Sequence, residues 1–144
     1  IWTMQGPGSG GFGPVNVSTG SIESSGGTVY PNTYAQNNCG QWITPWINAS
    51  NNIIGIPGTA GTFTYRMTFK VDACVINPTA VLDLPFMAAD NTLTDVRVNG
   101  NSQLIPGGIS FNPASSMTST PTVNTGVNTI EIDVVNNGLY TALQ

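Results

Sequence analysis

Between residues 62 and 72 the chain alternates without a break. Phe63, Tyr65, Met67, Phe69 and Val71 are apolar, and Thr62, Thr64, Arg66, Thr68, Lys70 and Asp72 are polar or charged. A repeat of two is the signature of a strand with one face in a core and the other in water. Leu82, Leu84 and Phe86 carry the apolar face into a second strand, and Val96 and Val98 into a third. Asn99-Gly100 then supplies the pair favoured at a two-residue type I′ hairpin. Near the end of the chain the alternation returns, with Ile130, Ile132 and Val134 inward and Glu131 and Asp133 outward.

The remaining segments read as shorter strands joined by polar turns. Residues 15–18, 28–30, 39–47, 109–111 and 139–144 are strand candidates. Pro45 inside the third of these marks an edge or a bulge. Ile53, Ile54 and Ile56 sit in a loop over 48–61 and tuck onto the core. No stretch keeps a 3.6-residue period, so the expected fold is all-β, an antiparallel β-sandwich of about eight to ten strands with little or no helix. Residues 1–14 read as a flexible Gly/Pro-rich arm and 15–144 as one sandwich domain.

At 144 residues the chain can bury a core without metals. Its surface is unusual. Only 7% of residues are charged, against about 25% in an ordinary domain. Thr, Asn, Ser and Gly stand where Lys and Glu normally do, as in secreted and cell-surface β proteins. With three cations and a net charge of −4, no basic footprint exists for nucleic acid or for a membrane surface. No apolar run is long enough to span a bilayer as a helix. Without an initiator Met or a leader, the chain reads as a mature, processed protein or a piece of a longer one. Cys39 and Cys74 make an even count and are expected to pair in an oxidising compartment, contributing about 4 kcal/mol in the chain-entropy model.

Several short motifs recur in a known group. Ala88-Ala89-Asp90-Asn91 follows an apolar strand, Val98-Asn99-Gly100 forms a hairpin, and Gly126-Val127-Asn128-Thr129-Ile130 opens a penultimate strand. Asn136-Asn137-Gly138 precedes the last one. With residues 62–69 these resemble the galactose-binding-domain-like jelly rolls of secreted and surface-anchored bacterial proteins. The likeness covers roughly residues 60–144. It implies a jelly-roll sandwich outside the cell. Related jelly rolls often hold a structural Ca²⁺ through Asp and backbone carbonyls, which makes Asp90 the metal candidate. The competing reading of Asp90, Asn91 and Asn128 is that they cap backbone groups at turns and strand ends.

There is no His. Ser-His-Asp and Cys-His nucleophiles and His-ligated metal hydrolysis are therefore excluded in their usual forms. The glycines between Gly8 and Gly13 lack the strand–helix context of a phosphate loop. Paired carboxylates among Asp83, Asp90, Asp95, Glu131 and Asp133 remain the only acid–base option. Asp83 and Asp133 alternate with buried positions and read as solvent-facing, so the chain is expected not to be an enzyme. Tyr30, Tyr34, Trp42 and Trp46 are candidate sugar-stacking rings, weighed against a place in the core. Asn16 and Asn48 fit the N-glycosylation pattern, which also arises by chance in chains this rich in Asn and Ser.

Sandwich edges are normally guarded by Lys, Pro and inward charges. This chain has one Lys. With Ile1, Trp2, Thr3 and Met4 as an apolar segment on a Gly-rich hinge, strand addition to a neighbour is physically easy. The leading expectation is thus a self-associating surface or filament subunit, or an adhesive module. The alternatives are a carbohydrate-binding module and a passive spacer.

Overall fold

The computed structural model describes residues 1–18, 22–23, 29–30, 42–47, 49–50, 53–54, 59–103, 109, 115–138 and 140–144. Tyr34, Cys39, Asn48, Ile56 and Phe111 lie outside these residues, as do the side chains of Tyr30 and Phe86. In chain order the strands are β1 (Trp2–Gln5), β2 (Gly13–Pro14), β3 (Asn16–Ser18), β4 (Ile22–Glu23), β5 (Val29–Tyr30), β6 (Trp42–Thr44), β7 (Ile53–Ile54), β8 (Gly61–Val71), β9 (Leu82–Met87), β10 (Ala89–Asp90), β11 (Thr92–Val98), β12 (Asn101–Ser102), β13 (Ser115–Ser119), β14 (Gly126–Asn136) and β15 (Ala142–Leu143). Among the described residues there is no helix, and none long and apolar enough to cross a membrane. The architecture is an all-β sandwich of antiparallel sheets; β4 and β7 are the one parallel pair among the described strands. Strands outnumber the expectation because several are two residues long and because irregularities divide others. Ala88 alone separates β9 from β10.

The first layer is a six-stranded sheet in the order β12-β11-β14-β8-β1-β2. β8 and β14 pair along their whole length, from Gly61↔Asn136 to Val71↔Gly126. This register follows from the two alternations. A slip of one residue would turn every apolar side chain to water. As set, Phe63, Tyr65, Ile130, Ile132 and Val134 all enter the core. Burying a ring such as Phe63 contributes about 1.5–3 kcal/mol. β11 adds Leu93, Val96 and Val98, each at most 1% exposed.

The facing layer consists of the β9–β13 pair and the sheet β10-β15-β6-β3. Leu82, Met87, Met117, Ala89 and Leu143 meet the first layer in one core. β6 ends at Thr44, before Pro45, and lies between β15 and β3. The proline therefore closes the strand instead of sitting on an edge or bulge within it. Thr44 Oγ1 donates to the Thr141 carbonyl at 2.7 Å and holds the strand end against the last residues of the chain. Ile53 is fully buried as expected, beside Trp42, Ala88 and Ala142.

Residues 1–14, expected as a flexible arm, add a hairpin to the main sheet. β1 pairs antiparallel with β8, Trp2↔Met67 to Gln5↔Thr64, and β2 folds back on Thr3 and Met4. The turn between them closes on Ser9, whose Oγ accepts from Gly6 N–H at 3.1 Å and donates to the Gly6 carbonyl at 2.8 Å. Glycine is needed at 6 because a Cβ there would stand 2.5 Å from the Phe63 ring. The arm is thus seated on the sheet through Trp2, Met4 and this close approach.

Candidate functional site: an open sheet edge beside an apolar groove

β8 has eleven residues, and β1 covers only Thr64–Met67 of its outer edge. Among the described residues no strand pairs with the far side of residues 68–71. Lys70 points outward, and Phe69 and Val71 lie on the inner face. The chain then turns through Asp72, whose Oδ1 accepts the Cys74 N–H at 2.8 Å. That hydrogen bond holds the exposed Asp72 carboxyl below the usual carboxylate range.

Below this edge the two layers part into a groove of about 210 Å³ lined by Met67, Phe69, Val81, Leu82, Val98 and Ile130, among others. Among the described residues no charged side chain lines it. A wider groove of about 550 Å³, with Thr79, Thr120 and Thr122 in its wall, adjoins it through Ala80, Val81 and Pro121. Around this end of the sandwich Val75, Ile76, Val81 and Val127 are exposed, Ile76 by 87%. Ile1 is wholly exposed. Alternation explains Val127, which is an outward residue of β14 opposite Lys70. Val75 and Ile76 sit on a turn, where no period constrains them.

Acidic residues tell a different story. Asp133 was expected to face solvent, but it is enclosed. Glu131 and Asp133 leave the outer face of β14 between Arg66 of β8 and Arg97 of β11. Arg66 Nε donates to Glu131 Oε1 at 2.9 Å and Arg97 Nε to Glu131 Oε2 at 3.3 Å. Arg97 also grips Asp133 through both terminal nitrogens and Asp95 through Nη1 at 3.0 Å. Thr64 and Ser102 donate to Asp133 and Asp95 at 2.7 and 2.6 Å. The register sets Asp95 directly opposite Asp133. Arg97 is the cation that makes this like-charge pair tolerable. Its guanidinium pKa is raised, first by the hydrogen bonds to Asp133. Burial pushes the Asp95 carboxyl up, but the bonds from Ser102 and Arg97 outweigh that and hold it low. Phe12 of the N-terminal hairpin caps the ladder, its ring centroid 3.6 Å from Arg66 Cζ. Ladder carboxylates so engaged leave no free acid–base pair there. Asp83 is exposed and accepts from Thr118 Oγ1 at 3.0 Å.

The other candidates are dispersed. Trp42 is 1% exposed and has no face left for a sugar. Trp46 is half-buried, packed edge-on against Phe63 at 5.5 Å between centroids. Trp42 and Trp46 therefore form no exposed platform. Asp90 is 6% exposed in β10, opposite Ala142, and its charge bears on the buried Tyr65 hydroxyl, whose pKa burial raises. Among the described residues no three His, Cys, Asp or Glu side chains converge on a metal position. Asn91 Oδ1 accepts the Asn137 N–H at 2.6 Å, a turn cap as its Asx chemistry suggests. Cys74 is exposed with a free thiol, so the expected disulfide with Cys39 is not seen; Cys39 lies outside the described residues. The Asn16 amide donates to the Pro45 carbonyl at 2.7 Å, an inward bond that a glycan there would break.

The chain matches no protein-family model, and no curated protein is significantly similar to it.

Proposed function

We propose that this chain is a non-catalytic structural or adhesive module, working outside the cell, that associates with copies of itself through the edge of its main sheet. The observation that carries this is the apolar groove under β8, lined among others by Met67, Phe69, Val98 and Ile130, in a chain that also leaves Val75, Ile76 and Val81 exposed. Strand addition at a sheet edge draws affinity from main-chain hydrogen bonds and specificity from side-chain pockets. A surface with 7% charged residues resists this association weakly. The same sparse charge, together with the jelly-roll resemblance, supports a place at the cell surface. Engagement of Asp95, Glu131 and Asp133 in the ladder supports a non-catalytic role.

Sedimentation equilibrium of the intact chain tests this reading between about 10 μM and about 1 mM, where weak interfaces become populated. Mass rising with concentration is the expected result. A monomer across the whole range overturns the reading. Removing residues 1–14 bares the β8 edge over Thr64–Met67, and association is expected to strengthen and lose its defined stoichiometry.

A further inference from the structure

The sequence holds two Asn-Gly pairs, Asn99-Gly100 and Asn137-Gly138. Such a pair is chemically labile, because a glycine nitrogen has no neighbouring side chain to shield it from the preceding carboxamide. The fold treats the two oppositely. Gly100 has φ of 79°, which the type I′ turn demands. The Asn99 carboxamide is held at both ends: Oδ1 accepts the Thr129 N–H at 3.0 Å, and Nδ2 donates to the fully buried Asn128 at 2.8 Å. At the second pair neither backbone nor space demands glycine. The φ of Gly138 lies outside the left-handed region, and no described atom comes within 4 Å of where a Cβ would stand. Asn137 and Gly138 are both exposed. The main chain of Asn137 is fixed, its N–H donating to Asn91 Oδ1 at 2.6 Å, while among the described residues its carboxamide has no hydrogen bond. Gly138 N–H donates to Asn136 Oδ1 at 3.0 Å. This one bond, at an exposed strand end, has to open before the nitrogen can react, and no core strand has to move with it.

We propose that Asn137-Gly138 is a site of self-modification, at which the folded chain deamidates while Asn99-Gly100 stays protected. Gly138 N gives up its proton to solvent and attacks Asn137 Cγ. The N–Cγ bond forms, the Cγ–Nδ2 bond breaks, and ammonia leaves with a proton taken from water. The resulting succinimide adds water at one of its two carbonyls and opens to aspartate or isoaspartate at position 137. Water is the only co-reactant. Each event adds one negative charge to a chain whose net charge is already −4. The isoaspartate product also lengthens the main chain by one carbon, beside the N–H by which Asn137 fastens the turn at Asn91. Modification therefore loosens the tie between the end of β14 and the turn from β10 to β11. The reaction is intramolecular and does not depend on self-association.

Peptide mass spectrometry on the full chain, aged in mildly alkaline buffer, tests this. Cleavage after Arg97 and Glu131 puts the two pairs on separate peptides, so each mass gain is assigned to its own pair. In the folded chain the peptide holding Asn137 is expected to gain mass at least about tenfold faster than the one holding Asn99, whose carboxamide must first leave buried partners. In urea the two rates are expected to converge, because both pairs are then unshielded Asn-Gly. Gly138→Ala has room for its methyl group and an ordinary φ. It is expected to keep the wild-type melting temperature and to lose most of the mass gain at 137. No gain at Asn137 in the folded chain, a rate at Asn99 as high as at Asn137, or undiminished reaction in Gly138→Ala overturns the proposal.

Discussion

Asn128 is fully buried, and its carboxamide is saturated. Oδ1 accepts from Asn124 N–H and Asn99 Nδ2, both at 2.8 Å; Nδ2 donates to the carbonyls of Asn124 and Gly126 at 2.8 and 3.1 Å. Asn99 in turn accepts the Thr129 N–H at 3.0 Å. Two side chains thus fasten the β11–β12 hairpin to the start of β14. Asn128→Ala would leave four part-buried groups of Asn99, Asn124 and Gly126 without this partner and is expected to cost about 1–3 kcal/mol, read as a lower urea midpoint at unchanged slope. Asn99 and Gly100 have φ of 51° and 79°, the two positive values a type I′ turn requires. Tyr65 is the contrary case. Its hydroxyl is buried beside the Thr141 side chain, and among the described residues it makes no well-formed hydrogen bond. Tyr65→Phe removes a desolvated group and keeps the ring, so stability is expected to be unchanged or higher by about 1 kcal/mol. A clear loss in the melting curve would show that the hydroxyl has a partner.

At the scale of elements, the β11-β14-β8 ladder and the N-terminal hairpin carry separate expectations. Arg97→Ala leaves Asp95 facing Asp133 and is expected to cost about 1–2 kcal/mol, moderated because the cluster is partly open to water. The Asp95 carboxyl is held low in the folded chain. Between its folded and unfolded pKa the folded chain binds fewer protons, so stability there rises with pH. That contribution is present at neutral pH and is lost as pH falls through the folded value. Below about pH 4 the melting temperature should drop, and more shallowly in Asp95→Asn. For the hairpin, Gly6→Ala drives a methyl group into the Phe63 ring. An expected loss of about 1–3 kcal/mol, with faster hydrogen exchange at Thr3 and Gln5, would show the hairpin unseating.

For the whole molecule, the uneven distribution of apolar surface matters most. Val81 lines an apolar groove and is itself exposed, and Val75 and Ile76 are exposed on the turn that leads from β8 toward it. Ile76→Asp changes an exposed turn residue, so the monomer's stability should move by less than about 0.5 kcal/mol. Its self-association should weaken severalfold, because a desolvated carboxylate opposes burial at the contact. Equal association in the two proteins would place the contact elsewhere.

Much of the scaffold was legible from residue order alone. The alternations at 62–72 and 127–135 determined which side chains are buried in β8 and β14, because a strand has two faces and water selects between them. Asn99-Gly100 determined its hairpin, because few residues accept positive φ. Pairing between distant strands has no such local signature. The ladder needed the registers Arg66↔Glu131 and Arg97↔Glu131, which join residues 65 and 34 positions apart. Its only trace in the sequence is that six of the ten charged residues fall at outward positions of three strands. Trp42 read as core before sugar platform, but composition does not say which face a short strand presents. The apolar groove under β8 was invisible for the same reason, because Phe69, Leu82 and Val98 come to line one space only when strands distant in sequence pack together.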